Sequence, residues 1–320
     1  TPVVHPDGDR VAYVVSTIDT EEDQHDRAIW IGDADDSRQF TAGPGDSLPR
    51  WSPDGTRLAF IRTEDKVGQL AIIPSDGGEA EIMTDFDLGV TTFEWSPDGS
   101  TLAVAATTYV EDWSGLTEDE RKRKPRRVTS VPYKFDDLGW LHDRKSHIWL
   151  VTVDGSEEPR CLTPGDRDEK APTWHPDGSR IAYLSDLRED RSLDFGASVM
   201  QFNIESEELT ELIPHGGWTF ARFSPAGDLH LLGNPETDWP DLTTLWRLDE
   251  GELTSLTAHL DRSAASLAIG PAYIEFDAGL AYVMHEDGGT GGVAAVHPDG
   301  TVDHVIDGPQ VVSGFSIAAG

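Results

Sequence analysis

One five-residue phrase recurs along this chain and limits its fold more tightly than anything else in it. It reads Trp51-Ser-Pro-Asp-Gly55, Trp95-Ser-Pro-Asp-Gly99 and Trp174-His-Pro-Asp-Gly178, with Val4-His-Pro-Asp-Gly8 and Phe223-Ser-Pro-Ala-Gly227 as variants. Asp7, Asp54 and Asp98 are spaced by 47 and 44 residues, Asp177 follows after 79, and Ala226 after a further 49. Self-similarity at such a period is the signature of a repeat architecture. The phrase is a tight hairpin turn: Pro presets φ, Asp hydrogen-bonds the local backbone, and Gly accepts positive φ.

A strand of constant character follows each turn, as in Arg10-Val-Ala-Tyr-Val-Val15, Arg57-Leu-Ala-Phe-Ile61, Thr101-Leu-Ala-Val-Ala105 and Arg180-Ile-Ala-Tyr-Leu184. These runs are apolar on both faces, as strands sandwiched between neighbouring sheets must be. A third strand comes next (Ala28-Ile-Trp-Ile31, Gln69-Leu-Ala-Ile-Ile73, His147-Ile-Trp-Leu-Val151), then a turn and a short outer strand such as Glu81-Ile-Met-Thr84 or Arg160-Cys-Leu-Thr163. Four short antiparallel strands per repeat make a propeller blade, so the fold class is all-β and the architecture a β-propeller of about seven blades. Blades are expected at about 1 to 42, 43 to 85, 88 to 163, 166 to 213, 216 to 257 and 263 to 308, with 310 to 320 either as the inner strand of a partial seventh or as an extra strand on a ring of six. Residues 1 to 320 are expected to form a single propeller domain.

The long third interval marks an insertion in blade three, at about 107 to 135. Within it, Leu116 to Lys124 fits a short helix started by Thr117, with acids in its first turn. Six of the seven residues from Arg121 to Arg127 are basic. Such a segment is either a solvated loop that offsets nearby acid or a contact surface for an acidic partner or a substrate carboxylate. Trp113, Arg126 and Arg127 are the candidate interdomain or substrate contacts.

Charge narrows the partners. The chain holds 25 Lys and Arg against 59 Asp and Glu, a net charge of −34, which repels nucleic acid and anionic lipid. Only 6 of the basic residues are lysine. A surface so acidic and lysine-poor resembles that of proteins from salt-accumulating halophiles. No run of eighteen apolar residues exists to span a membrane.

Reactive chemistry is sparse. The single cysteine, Cys161, reads as a buried reduced thiol in a strand. None of the 11 histidines has zinc-ligand spacing; His5, His175 and His297 precede Pro-Asp-Gly and read as turn caps. The acid clusters Asp19-Thr-Glu-Glu-Asp23 and Asp33-Ala-Asp-Asp36 lack the EF-hand pattern and read as solvated surface. Neither metal nor cofactor is implied. Trp51, Trp95 and Trp174, with Trp30, Trp149 and Trp246, recur at two repeat phases and read as core; Trp113, Trp140, Trp218 and Trp239 fall off both.

The Trp-Ser-Pro-Asp-Gly turn, the Ala-aromatic strand after it and the Leu-Thr that ends a repeat resemble the repeats of TolB-like propellers and of prolyl oligopeptidase family peptidases. Within that family, His5-Pro-Asp-Gly-Asp-Arg-Val-Ala-Tyr-Val-Val-Ser16, and Arg127 to Asp137 leading into His147-Ile-Trp149, resemble the acylaminoacyl peptidase and dipeptidyl aminopeptidase-like branch. The resemblance implies a cytoplasmic serine peptidase in which the propeller precedes an α/β-hydrolase domain bearing a Ser-Asp-His triad. These 320 residues contain no Gly-x-Ser-x-Gly elbow and no βαβ alternation, so no catalytic residue can be assigned here. The expected role is non-catalytic: gating access for short peptides and shaping the substrate pocket, with the hydrolase domain of the same polypeptide as partner. The alternatives are a stand-alone TolB-like propeller that binds proteins or peptides, and a propeller enzyme whose carboxylates project into the central channel.

Overall fold

The computed structural model describes residues 2–20, 24–128, 131, 133–136, 138–188, 196–237, 241–265 and 273–318. Its strands form six four-stranded antiparallel sheets, each from strands in sequence order so that no sheet mixes the two ends of the chain, and one small two-stranded sheet, Lys134–Phe135 with Gly139–Trp140. Blade one runs from Val3–Val4 to Ser37–Gln39, blade two from Asp46–Trp51 to Glu81–Ile82, and blade three from Val90–Trp95 to Arg160–Cys161. Blade four runs from Glu169–Trp174 to Leu209–Gly216, blade five from Phe220–Phe223 to Glu252–Ser255, and blade six from Ile274–Asp277 to Val302–Ile306. Helix among the described residues is confined to α1, Glu118–Arg123, and a single 3-10 turn, Ala258–Leu260.

The turn phrase works as its chemistry predicts. Asp54 Oδ1 accepts from the Ser52 hydroxyl at 2.6 Å and the Thr56 N–H at 3.0 Å, while Ser52 Oγ accepts the Arg57 N–H at 3.0 Å. Gly55 closes the turn at φ 70°. Where His replaces Ser the ring does more than cap. His5 Nδ1 accepts the Asp7 N–H at 3.2 Å, and the ring stacks edge-on against Trp51 of the next blade at 4.6 Å. His175 repeats this on Phe223, at 5.0 Å.

Tryptophan joins the blades. The indole N–H of Trp51 donates to Val3 O at 3.2 Å, that of Trp95 to Arg50 O at 3.1 Å, and that of Trp174 to Glu94 O at 3.3 Å. Each bond reaches the inner strand of the preceding blade. The threonine that ends a repeat is equally regular in its bonding. Thr41, Thr84, Thr163 and Thr257 accept, through Oγ1, the N–H of Ile29, Leu70, Ile148 and Leu245 in the third strand, at 2.9 to 3.0 Å. A backbone donor beyond the short outer strand is thereby satisfied.

Period-2 alternation distributes the second strand of a blade between two cores. In Thr101–Tyr109, Leu102, Val104 and Ala106 pack with blade two, whereas Ala103 and Ala105 pack with blade four. Apolar clusters of this kind join blades one to two, two to three, three to four, four to five and five to six. The partial seventh blade is not observed. Residues 310–318 carry no strand; a lone bridge joins Val311 to Gly291, and Phe315 packs on Tyr273 beside Met284 and Val293. Ser316 Oγ accepts the Val4 N–H at 2.9 Å, so side-chain anchoring takes the place of a ladder between blades six and one.

Candidate functional site

The insertion is longer than its sequence suggested: the second strand of blade three ends at Tyr109 and the third begins at Arg144. It leaves the end of the propeller opposite the Pro-Asp-Gly turns, since it joins strands two and three rather than one and two. Its helix α1 starts as expected. Thr117 forms a capping box with Glu120, whose backbone N–H donates to Thr117 Oγ1 at 3.3 Å while Glu120 Oε2 accepts the Thr117 N–H at 2.8 Å. Six residues are too few for an isolated helix, so cation–aromatic contacts anchor it. The Arg121 guanidinium lies 4.1 Å from the Tyr109 ring centre and the Lys124 ammonium 4.9 Å from that of Trp113.

Around these contacts lies a pocket of about 500 Å³, lined by Tyr109, Arg121, Lys124, Arg126, Trp140 and Arg144, with Glu118, Lys122 and Asp143 completing it. Asp143, 1% exposed, is the fixed point: Arg126 Nη1 donates to Oδ2 at 2.6 Å and Arg144 Nε to Oδ1 at 2.8 Å. Burial alone would raise its carboxyl pKa, but the bonds from Arg144 and Arg126 outweigh it and hold the group below the usual carboxylate range. Arg126 also spans two rings, 4.2 Å from Trp113 and 4.8 Å from Trp140. Between those rings His142 packs edge-on at 5.7 Å to each. Burial, joined by the charges of Arg126 and Arg144, lowers its pKa against the pull of Asp143.

The candidate contacts separate. Trp113 is 6% exposed and lies beneath two cations, Lys124 and Arg126. Arg126 lines the pocket; Arg127 is exposed and stands outside it. Trp140 joins the lining, Trp218 is core, and Trp239 lies outside the described residues. Sequence reasoning missed Tyr109, Asp143 and Arg144, although Asp143-Arg144 directly before a strand was a visible acid–base pair.

The inner strands that line the central channel hold a second polar group. Arg50, Glu94, Arg222 and Glu275 project from blades two, three, five and six. Arg222 Nη1 lies 2.9 Å from Glu275 Oε1 and donates to Ile274 O at 2.6 Å. Burial raises the Glu94 carboxyl against the opposing pull of Arg222. Burial, with the Arg222 charge, lowers the Arg50 guanidinium. Each carboxylate here has an arginine for company.

Elsewhere, buried Glu169 bridges Ser185 Oγ at 3.2 Å and His147 Nδ1 at 3.1 Å. The acid sits between Ser and His, whereas a nucleophilic serine needs the His between Ser and acid. Cys161 is only half-buried, and burial raises its thiol pKa, which makes it a poor nucleophile. Asp33 turns inward on its own loop, accepting N–H bonds from Asp35 at 2.9 Å and Asp36 at 3.0 Å; the cluster at 19–23 falls largely outside the described residues. Among the described residues no helix is long and apolar enough to cross a membrane, and no group of three His, Cys, Asp or Glu could hold a metal ion.

No family model matches the chain. It is similar to the uncharacterized peptidase YuxL of Bacillus subtilis, with 32% identity over 343 residues, covering 99% of this chain and 51% of that protein. In fold it is similar to the acylaminoacyl peptidase of Pyrococcus horikoshii, at a TM-score of 0.77 and 21% identity over 99% of this chain and 47% of that one. The β-propeller domain of the Trilobed protease from Pyrococcus furiosus aligns at a TM-score of 0.69 and 17% identity, covering 99% of this chain and 85% of that one. The chain thus spans about half the length of the Bacillus subtilis and Pyrococcus horikoshii peptidases.

Proposed function

We propose that this chain, related to the propeller portions of prolyl oligopeptidase family peptidases, is a non-catalytic module that restricts access to a peptidase domain in the same polypeptide. It admits short peptides and excludes folded proteins, and the blade-three insertion forms part of the substrate pocket. The observation that carries the reading is the surface of that insertion. Val131 is 66% exposed and Leu138 63%, and Val128 and Tyr133 are also exposed, all within eleven residues of one segment, 128–138. Exposed apolar side chains concentrated in this way mark an interaction surface. The same insertion carries Lys134 and the cations from Arg121 to Arg127 on a body of net charge −34. Such a surface suits a large, mostly apolar neighbour with acidic edges, the part a second domain of the chain would play.

Protection mapping tests this docking. Side-chain labelling of Val131, Tyr133 and Leu138 is expected to fall sharply in the complete polypeptide relative to residues 1–320 alone. Equal labelling in the two would contradict it.

A further inference from the structure

The insertion pocket holds more positive charge than its own acids use. Five of its lining residues are cationic (Arg121, Lys122, Lys124, Arg126 and Arg144) and two are acidic. Asp143 is taken by Arg126 and Arg144, and Glu118 by Lys122 at 2.6 Å. Arg121 and Lys124 make no ion pair among the described residues. Arg121 rests on Tyr109, and Lys124 rests on Trp113 and donates to Asp112 O. A segment that merely offset nearby acid would pair its charges; this one stacks both on rings and leaves Arg121 and Lys124 without a carboxylate partner among the described residues.

The stacking also fixes them. Arg121 and Arg144 approach the same Tyr109 ring, at 4.1 Å and 5.6 Å, and Arg144 is further held by Asp143 and by Leu138 O at 3.2 Å. Guanidinium groups held in this way lose little freedom on meeting a carboxylate, whose two oxygens match their fork. The surrounding molecule adds selectivity by position. On an acidic body that repels anions elsewhere, a recessed basic pocket concentrates them. Tyr109 and Trp140 add apolar faces for the residues that carry the charge.

We infer that this pocket binds the carboxylate of a peptide, with Arg121, Lys124 and Arg144 as its cations. The choice of a peptide as carrier rests on the proposed peptidase reading; the carboxylate chemistry rests on the pocket alone. The carboxylate is either a chain terminus or an Asp or Glu side chain, and the two are separable by experiment.

Tryptophan fluorescence of residues 1–320, whose 10 tryptophans include Trp140 in the pocket wall, supplies the measurement. The probes are acetyl-pentaalanine as free acid, the same peptide as amide, an amidated acetyl-Ala-Ala-Glu-Ala-Ala, and inorganic phosphate. Binding is expected for at least one carboxylate peptide, about tenfold or more tighter than for the amidated pentaalanine, as loss of a charge-assisted bond implies. The free acid alone binding assigns a terminus; the Glu peptide binding as well assigns carboxylates generally. Arg121→Gln is expected to weaken this binding about tenfold, and Arg121→Lys, which keeps the charge and the stem over Tyr109, distinctly less. Amide and acid binding alike, phosphate binding more tightly than either peptide, or Arg121→Gln binding as the parent would each overturn the inference. Size restriction in the complete polypeptide does not depend on Arg121, so either reading can fail without the other.

Discussion

At the scale of single residues, the acid sensitivity of the fold should centre on His230. The ring is buried against Phe276 at 4.9 Å, and burial lowers its pKa from 6.5 to about 4, against a smaller opposing pull from the Asp228 carbonyl. The unfolded chain therefore binds this proton more readily than the folded one. The stabilisation is fully present above pH 6.5 and is lost as pH falls towards about 4, a change of roughly 3 kcal/mol at most. Urea melts at neutral pH and near the lower limit should show that difference in the parent and a clearly smaller one in His230→Phe. Equal losses in both would place the acid sensitivity elsewhere. Nothing in the sequence singled out His230, because its neighbours Leu229 and Leu231 mark only a strand and its partner Phe276 comes from the next blade.

At the scale of elements, the indole bonds between blades make a sharper test of how the ring is held. Trp95→Phe keeps the apolar packing but removes the indole donor to Arg50 O, a carbonyl that still faces Ala59 in the strand ladder, at a cost of about 0.5–1.5 kcal/mol. A chemical melt measures it, and an unchanged midpoint would show that the bond contributes nothing. Phe223 already fills this position in blade five, so the ring itself is tolerated there. The blades were legible from sequence because their signals are local: Pro-Asp-Gly makes a turn, and an apolar run makes a doubly buried strand. The Thr41, Thr84, Thr163 and Thr257 bonds left only a visible ending of Thr after an apolar residue, Leu in two of the four, since their donors lie 12 to 15 residues away. The pocket was half legible. The run from Arg121 to Arg127 stood out by charge, but Tyr109 and Arg144, which position it, are separated from it in sequence and meet it only across the base of the insertion. The setting of Trp113 was hidden for the same reason, because the cations that cover it follow it by 11 and 13 residues.

For the whole molecule, the sheets form a scaffold whose polar channel groups compensate one another and whose unusual surface is gathered on one insertion. The compensation is visible in Arg222 with Glu275, and the gathering in exposed Val131 and Leu138 and in Arg121 stacked on Tyr109, all in or at the base of the insertion. These features join into one account only if a peptidase domain lies against the insertion end, so that the propeller controls what reaches it. The decisive measurement is the rate at which the complete polypeptide cleaves one fixed scissile sequence embedded in substrates of rising size, from a pentapeptide to a folded protein. The account predicts rapid cleavage of the shortest substrates and a steep fall once the substrate can no longer enter beside the propeller. A rate independent of size, with folded proteins cut as readily as short peptides, would contradict it.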